Sequence, residues 1–437
     1  MSLIYPDTTE ESTTEIEAYF DRLWPLFRSL TGDGVRQTHQ ILSEIIPFER
    51  IEIASGTAVF DWNIPKEWII NEAYIIAPSG EKILDIKTNN LHLVNPSIPF
   101  QGQLSWQELD QHLHSLPDMP EAIPYVTSYY QDRWGFCLSH QQRQQLPKEG
   151  QYQVFIDSKL IDGSMTLSHL LLEGETDQEI LISTYTCHPS MANNELSGPL
   201  VAAFLYRRLA SLAKRKYTYR FVFCPETIGS IAYLSLYGKQ MKEKMVAGYV
   251  VTCIGQDKHF SYKYSRQENS MADQAAQIIL RDRFQNDWKP LGFGPTGSDE
   301  RQYCSPGFNL PVGSLIRTPY GAFPEYHTSL DNKQLISFDA LKESIDVYFD
   351  ICMAMENNHK YQNLMPFGEP QLGKRGLCST LGANKQTEDY LIAMKWLLNL
   401  SDGDHDLFQI AQRSHSPFHL LLESARRCEA VGLLKKI

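Results

Sequence analysis

One stretch in the middle of the chain decides the fold: Tyr185-Thr186-Cys187-His188-Pro189-Ser190-Met191-Ala192-Asn193-Asn194-Glu195-Leu196-Ser197-Gly198. The run before it, residues 179–184, is almost continuously apolar, which is typical of a buried strand. A helix with Pro199 in its first turn and apolar residues at helical spacing follows it. Open α/β sheets place ligands at the carboxyl ends of buried strands. His188, which lies at such an end, is therefore a candidate functional residue.

Three later segments carry further residues suited to chemistry. They are Cys224-Pro225-Glu226-Thr227-Ile228-Gly229-Ser230, Gly297-Ser298-Asp299-Glu300, and Pro324-Glu325-Tyr326-His327-Thr328-Ser329-Leu330-Asp331-Asn332. Histidines and carboxylates are the residues from which hydrolases take their zinc ligands and general bases. Together with His188, these segments predict a dispersed metallohydrolase site.

In order and spacing, the four segments resemble the zinc exopeptidases related to bacterial leucyl aminopeptidases and animal glutaminyl cyclases. In that clan a strand ends in a ligand His, and an Ala-x-Asp-x-x-Ser-Gly loop supplies an Asp that bridges two zinc ions. A Glu-Glu pair, a strand ending in Asp, and a Tyr-His-Thr-x-x-Asp segment follow. The resemblance covers residues 179–332. It implies that His188 and His327 are metal ligands and that Glu226 is the general base for a metal-bound water.

The sequence departs from the clan at the carboxylate ligands. Asn194 stands at the bridging Asp, Thr227 at the second Glu, and Thr252 near the next Asp. Several anionic oxygens are needed to offset the repulsion of two close dications. The sequence therefore predicts one zinc ion, held by His188, His327 and one oxygen ligand, because three protein ligands plus water is the catalytic zinc pattern. Asn194 is the candidate oxygen ligand; hydrogen bonding to substrate or to the general base is its alternative role.

Other residues complete the predicted site. Asp299 matches the clan's Ser-Asp segment, and we expect it to orient the general base or a ligand histidine. Arg317, at a predicted strand end, suits either a substrate carboxylate or a structural salt bridge. Glu325 and Tyr326 flank His327 and are predicted to bind substrate. Glu195 and Glu325 are also nearby carboxylates that could complete a rearranged metal site.

A narrower resemblance spans nearly the whole chain. The segments that carry it are Arg28-Ser29-Leu30-Thr31-Gly32-Asp33-Gly34-Val35-Arg36, Phe60-Asp61-Trp62-Asn63-Ile64-Pro65-Lys66-Glu67-Trp68, and Tyr129-Tyr130-Gln131-Asp132-Arg133-Trp134-Gly135-Phe136-Cys137. They resemble a bacterial family of aminopeptidase-like proteins of unknown function, often linked with polysaccharide or secondary-metabolite genes. The resemblance implies a small inserted domain and a C-terminal winged helix.

The pattern of predicted elements agrees with an α/β fold. From residue 167 onward strands and helices alternate, which predicts a mixed sheet sandwiched by helices. Residues 1–48 and 158–360 are assigned to the aminopeptidase-like domain, residues 49–157 to an inserted β-rich domain, and residues 374–437 to the winged helix-turn-helix domain. In the last of these, Arg426 and Arg427 are the candidate DNA contacts, but Glu423 and Glu429 lie on the same helix. Nucleic acid is therefore not expected as a partner, since DNA affinity requires unopposed cations.

Composition narrows the class of protein. A formal net charge of −12 disfavours a general nucleic-acid or membrane-surface binder. No apolar stretch approaches the ~18 residues needed to span a bilayer, and the N-terminus lacks the features of a secretory signal. Eight cysteines without paired spacing fit a reducing compartment. We expect a cytoplasmic protein.

These observations predict a zinc-dependent, aminopeptidase-like hydrolase that acts on an amide bond in a small molecule or short peptide. Three alternatives remain open. The chain could be a non-catalytic descendant that binds a ligand or partner and uses the winged helix for interaction. It could catalyse intramolecular acyl transfer as glutaminyl cyclases do, with Glu226 as a proton shuttle, or use Cys187 as a nucleophile. A homo-oligomer is also open.

Overall fold

The structure is a computed structural model and describes residues 11–377 and 385–437. Cys378 therefore lies outside the described residues. The N-terminal part forms α1 (Thr13–Leu23), α2 (Asp33–Leu42) and β1 (Glu49–Ala54). The region that follows forms β2 (Ala58–Val59), β3 (Trp62–Asn63), β4 (Glu67–Ile76), β5 (Lys82–Ile83), β6 (Phe100–Leu104), α3 (Trp106–Asp110), β7 (Leu113–His114), β8 (Phe136–Cys137), α4 (His140–Gln145) and β9 (Tyr152–Ile161).

The central part contains most of the large sheet and its helices. Its elements are β10 (Ser164–Leu172), β11 (Glu179–Tyr185), α5 (Ser197–Ser211), β12 (Thr218–Cys224), α6 (Ile228–Lys244), β13 (Met245–Val251), β14 (Phe260–Lys263), α7 (Met271–Phe284), β15 (Trp288–Leu291), α8 (Glu300–Tyr303), β16 (Val312–Ile316) and α9 (Phe338–Glu356). The C-terminal part forms β17 (Lys360–Asn363), α10 (Lys385–Leu400), β18 (Asp402–Asp406), α11 (Leu407–Ser414), α12 (Phe418–Ala430) and β19 (Leu434–Lys436).

The large sheet has eight strands in the order β1-β10-β12-β11-β13-β16-β14-β15. Its centre, β12-β11-β13-β16, is parallel, and the flanking pairs β1·β10, β10·β12 and β14·β16 are antiparallel. Strands β11 and β12 are buried along their whole length, which explains their continuous apolar sequences. Apolar residues of α1, α5, α7 and α9 cover one face, and those of α6 cover the other. The predicted sandwich of helices around a mixed sheet is confirmed.

The inserted region builds its own small sheet, in the order β5-β4-β9-β6, around a separate apolar core. Its predicted start at residue 49 differs from the structure, because β1 pairs with β10 in the large sheet. A short strand pattern indicates extended backbone, but it carries no information on which sheet the strand joins. The insertion therefore begins after β1 and ends with β9.

The C-terminal unit is a winged helix-turn-helix, as predicted, with the three-stranded sheet β18-β17-β19 beside α10, α11 and α12. Its predicted start at residue 374 also differs from the structure. Strand β17 pairs with both β18 and β19, so the unit begins at Lys360. The partners of β17 lie far along the chain, which hid this strand from local pattern analysis.

The winged helix packs against the central domain through α7. Arg281 on α7 donates to the Ala411 and Ser416 carbonyls, both at 3.1 Å. Asp282 accepts the Phe418 backbone N–H at 2.7 Å, at the start of α12. Apolar side chains of both units belong to one continuous core. In the described part of the chain, no helix is long and apolar enough to cross a membrane.

Candidate active site

The site lies at the carboxyl edge of the parallel strands. His188 follows β11, Glu226 follows β12 and Thr252 follows β13, so the topology brings three distant segments together. His327 arrives from the long loop after β16. The structure thus brings together the predicted residues His188, Glu226 and His327.

His188 is held from behind by a buried carboxylate. Its Nδ1 lies 2.8 Å from Oε2 of Glu195, and its Nε2 lies 3.5 Å from Oε2 of Glu226. Arg28 is fully buried beside this pair and donates from Nε to the His188 carbonyl at 2.8 Å. Burial lowers the pKa of His188 to about 3, with the Arg28 charge acting in the same direction. The imidazole is therefore neutral, and Nε2 carries a lone pair when Nδ1–H donates to Glu195.

His327 faces the same space. Its ring stacks on Tyr326, with centroids 4.0 Å apart, and its centroid lies 5.3 Å from that of His188. Burial lowers the pKa of His327 to about 3, so this imidazole is neutral as well. Nε2 of His327 is buried and has no hydrogen-bond partner among the described residues. Buried polar atoms are nearly always partnered, so an orphaned ring nitrogen indicates a place for a ligand.

The inserted domain completes the wall of the site. The Tyr125 backbone N–H donates to the His327 carbonyl at 2.8 Å, which ties the insertion to the histidine loop. The Tyr125 ring lies with its centroid 5.3 Å from His188 and 5.4 Å from His327, and its hydroxyl is 2.8 Å from that of Tyr129. Sequence analysis missed Tyr125, because nothing in its local pattern points to the site. It also missed the role of Arg28, although that residue lies in one of the segments carrying the family resemblance.

Glu226 and Asp299 are connected through Thr227. Asp299 is fully buried, and one of its oxygens accepts the Thr227 N–H at 2.7 Å and the Ser230 hydroxyl at 3.0 Å. Thr227 has a φ of 65°, which is strained for a β-branched residue and is maintained by this contact. Burial and the charge of Asp299 raise the pKa of Glu226, and burial raises that of Asp299. Asp299 thus fixes the peptide that follows Glu226.

The loop that carries Asn194 is fixed by Asp331. The Asp331 carboxylate accepts the backbone N–H groups of Ala192, Asn193 and Asn194, at 3.2, 2.7 and 2.9 Å. The side-chain oxygen of Asn194 accepts the Tyr185 hydroxyl at 3.0 Å. The Cys253 thiol contacts the same oxygen at 3.8 Å, so both acceptor positions on Asn194 already have a neighbour. Its role as a metal ligand stays a prediction.

The donor set fits one metal ion and not two. Two neutral imidazoles, one of them with an orphaned nitrogen, converge with Glu226, which suits a single zinc ion. Thr227 and Thr252 offer only neutral hydroxyls where a second ion would need carboxylates. Among the described residues, the group of three whose donor atoms all lie within 4.8 Å of one another is Cys187, His188 and Glu195, and His327 and Glu226 are outside it. We assign that trio to support instead, because Glu195 already holds His188, and Cys187 accepts the Glu226 N–H at 3.2 Å.

The remaining predicted residues differ in their surroundings. Arg317 is buried, and its guanidinium binds Glu343, Ser344 and the Lys258 and Ala340 carbonyls while lying over the Phe260 ring. Because these partners occupy it, the predicted substrate contact of Arg317 is replaced by a structural role. Glu325 is half-buried beside Tyr326, and both remain predictions as substrate contacts.

Comparison with known proteins is consistent with this geometry. The family described as "Domain of unknown function (DUF4910)" matches residues 17–358, and a winged helix-turn-helix family matches residues 359–436. The chain belongs to the DUF4910 family. Within it, a Clostridium acetobutylicum protein named for polysaccharide biosynthesis and an aminopeptidase-like domain is 42% identical over 433 residues, covering 99% of both chains.

Solved structures show that this chain is also similar to known proteins in its fold. The crystal structure of a Clostridium acetobutylicum protein described as a candidate peptidase has a TM-score of 0.91 at 42% identity, covering 97% of this chain and 96% of that one. A zinc aminopeptidase from Bacillus subtilis has a TM-score of 0.57 at 12% identity, covering 79% of this chain and 95% of that one. The predicted resemblance to aminopeptidase-like proteins with a winged helix is confirmed.

Proposed function

We propose that this protein is a metal-dependent hydrolase that cleaves an amide bond in a small molecule or short peptide. The observation that carries the proposal is the buried, unpartnered Nε2 of His327, which lies in a space shared with neutral His188 and with Glu226. An aminopeptidase-like fold and peptidase-like relatives agree with it.

The residues that would hold the metal are His188 and His327, through their Nε2 atoms. The side-chain oxygen of Asn194 would be the oxygen donor, in exchange for its weak contact with the Cys253 thiol. The 2.8 Å contact between Glu195 and Nδ1 would hold the His188 ring with Nε2 toward the site, and Tyr326 and Tyr125 fix the plane of the His327 ring. A zinc ion bound there would supply Lewis-acid polarisation of the scissile carbonyl.

Glu226 is the proposed general base. It follows β12 on a rigid strand end, and its backbone is fixed on one side by Cys187 and, through Thr227, by Asp299. Its side chain is 22% exposed, so solvent reaches it. Burial and the charge of Asp299 raise the pKa of Glu226, and a carboxylate with a raised pKa is a stronger base toward water than an ordinary one. Glu226 would remove that proton and pass it to the leaving nitrogen.

One observation favours a second function. Asn194, Thr227 and Thr252 all replace carboxylates that a two-metal exopeptidase would use. A descendant that binds an amide-containing ligand without cleaving it would tolerate these replacements. In that case, neither the wild-type protein nor its variants would turn over substrate.

The test is Glu226→Gln, with Glu243→Gln as the matched control. Glu243 is an exposed carboxylate on α6, the helix that begins after Glu226 and Thr227. Zinc-loaded proteins would be incubated with pooled dipeptides and N-acyl amino acids, and the products identified by mass spectrometry. We expect Glu226→Gln to lose activity by ~10²-fold or more while keeping its bound metal, and the control to match wild type. Wild-type activity in Glu226→Gln would refute the assignment of the base.

A further inference from the structure

A cavity of about 510 Å³ opens beside the proposed general base. Thr227 lines it, immediately after Glu226 in the chain. Two arginines, Arg266 and Arg301, and two aromatic residues, Trp62 and Phe293, also line it. No carboxylate belongs to the described lining of this cavity. On a chain with a net charge of −12, a cavity whose charged lining residues are both arginines is unexpected.

The charge of the Arg301 guanidinium acts on the nearby carboxyl groups of Glu226 and Asp299 and lowers the pKa of each, against the larger effect of burial. One Nη atom of Arg301 donates to the Thr227 hydroxyl at 2.9 Å, whereas its Nε is buried without a partner. Within residues 11–377 and 385–437, no carboxylate forms an ion pair with it, and none pairs with Arg266 either. Arg266 also donates to one side chain, that of Asn309 at 3.0 Å, but it is exposed, so water can satisfy its other donors. Arg301 is therefore the cation with donors left over, and unsatisfied buried donors are costly unless a ligand meets them.

The residue at position 227 explains why the Arg301 guanidinium has no ion-pair partner there. A glutamate there would stand beside the Arg301 guanidinium and neutralise it. Threonine offers only a hydroxyl, which engages one donor and leaves the positive charge in place. The strained conformation of Thr227, held by Asp299, keeps that hydroxyl on Arg301. Position 227 thus determines whether Arg301 binds the protein itself or a ligand.

We propose that Arg301 is a specificity-determining residue that binds a carboxylate of the substrate in this cavity. The planar fork of a guanidinium matches the geometry of a carboxylate, and the faces of Trp62 and Phe293 would contact an apolar or ring portion of the same molecule. Trp62 is 42% exposed, so its indole is accessible to a ligand. This proposal rests on the proposed hydrolase function, because the bound carboxylate would position the substrate amide near Glu226.

The test measures binding without turnover. The probes are phenylacetate and phenylacetamide, which share a ring and differ in charge. Their affinities would be measured by calorimetry or saturation-transfer NMR at low salt, with EDTA present so that no metal binds the carboxylate. We expect wild-type protein to prefer phenylacetate by about tenfold, equivalent to ~1.4 kcal/mol.

Three variants at the cavity and one control variant complete the experiment. Arg301→Gln and Thr227→Glu should both remove the preference, the first by deleting the charge and the second by neutralising it. Arg301→Lys should retain part of it, and circular dichroism would verify folding. Arg413→Gln removes an exposed charge on α11 and should behave as wild type. An equal affinity for both probes in wild type, or an unchanged preference in Arg301→Gln, would overturn the proposal.

The same probes separate this proposal from the proposed function. Glu226→Gln should keep the preference for phenylacetate even where it abolishes hydrolysis. Loss of hydrolysis tests the base, and loss of the preference tests Arg301.

Discussion

Gly198 is the position at which a single methyl group should perturb both the fold and the site. It lies in the first turn of α5, directly after the π-helical turn, Ala192–Leu196, that carries Asn194 and Glu195. A Cβ at this position would lie 2.2 Å from the Val251 carbonyl oxygen and 2.4 Å from Oγ1 of Thr184. Those two atoms are themselves hydrogen-bonded at 2.9 Å, so neither can turn away.

The expected cost of Gly198→Ala follows from these distances. Reaching even a tight 3.4 Å contact requires α5 to retreat by about 1.2 Å from the ends of β11 and β13. Overpacking of this kind costs about 1–3 kcal/mol, and rigid backbone obstacles put Gly198 at the upper end. The better helix propensity of alanine returns at most ~1 kcal/mol. We therefore expect a net loss of about 2–3 kcal/mol in the free energy of unfolding.

The assay is urea unfolding followed by far-UV circular dichroism, with Gly307→Ala as the control. Gly307 is exposed, and a Cβ there would meet nothing within 4 Å. The control should differ from wild type by less than about 0.5 kcal/mol. If Gly198→Ala were as stable as Gly307→Ala, the close approach of α5 to β13 would be wrong, and with it the placement of Glu195 behind His188.

Two further predictions concern pH and DNA. His39 is buried between the Ser168 and Thr186 hydroxyls, and burial lowers its pKa to about 3. Folding therefore favours the neutral imidazole. The contribution of His39 to stability is complete above the unfolded pKa of ~6.5 and falls as the pH drops toward 3. Between pH 7 and 5 the free energy of unfolding should fall by about 2 kcal/mol because of His39. His39→Gln should reduce this fall by the same amount in chemical unfolding, and an unchanged pH dependence in the variant would contradict the prediction. The winged helix should not bind duplex DNA. A recognition helix directs its N-terminal end into the groove, but Asp282 and Arg281 of α7 occupy that end of α12. In addition, Arg427 is paired with Glu423. Fluorescence anisotropy with a steep salt dependence would show the opposite.

Sequence analysis located most of this fold because its central strands are continuously apolar. The apolar run at residues 179–184, predicted as a buried strand, lies within β11, and the predicted helix with Pro199 in its first turn is α5. The strands β14 and β15 escaped prediction, since they are four-residue elements at one end of the sheet without a clear pattern. Which sheet β1 joins also depends on tertiary pairing alone.

For the candidate site, the sequence identified the main residues but not the role of each one. His188, Glu226 and His327 follow from motif order, and the structure brings them together. That Glu195 holds His188 from behind, and that Arg317 belongs to the α9 interface, depends on side-chain direction. Tyr125 reaches the site from a segment whose sequence carries no comparable pattern. Arg301 directly follows the Asp299-Glu300 segment, but nothing in the sequence shows that its side chain lines a cavity. Such residues become visible only when distant segments are placed in space.

The most direct test of the account is the metal content of the purified protein. Wild-type protein would be loaded with excess zinc, dialysed, and measured by native mass spectrometry alongside His327→Ala, with His405→Ala, at a half-buried histidine of β18, as control. The account predicts one tightly bound zinc ion per chain in wild type and in the control, and its loss in His327→Ala, because His188 and His327 are the two imidazole ligands and the carboxylates for a second ion are absent. Two fully occupied ions per chain, or none in the zinc-loaded wild type, would contradict it.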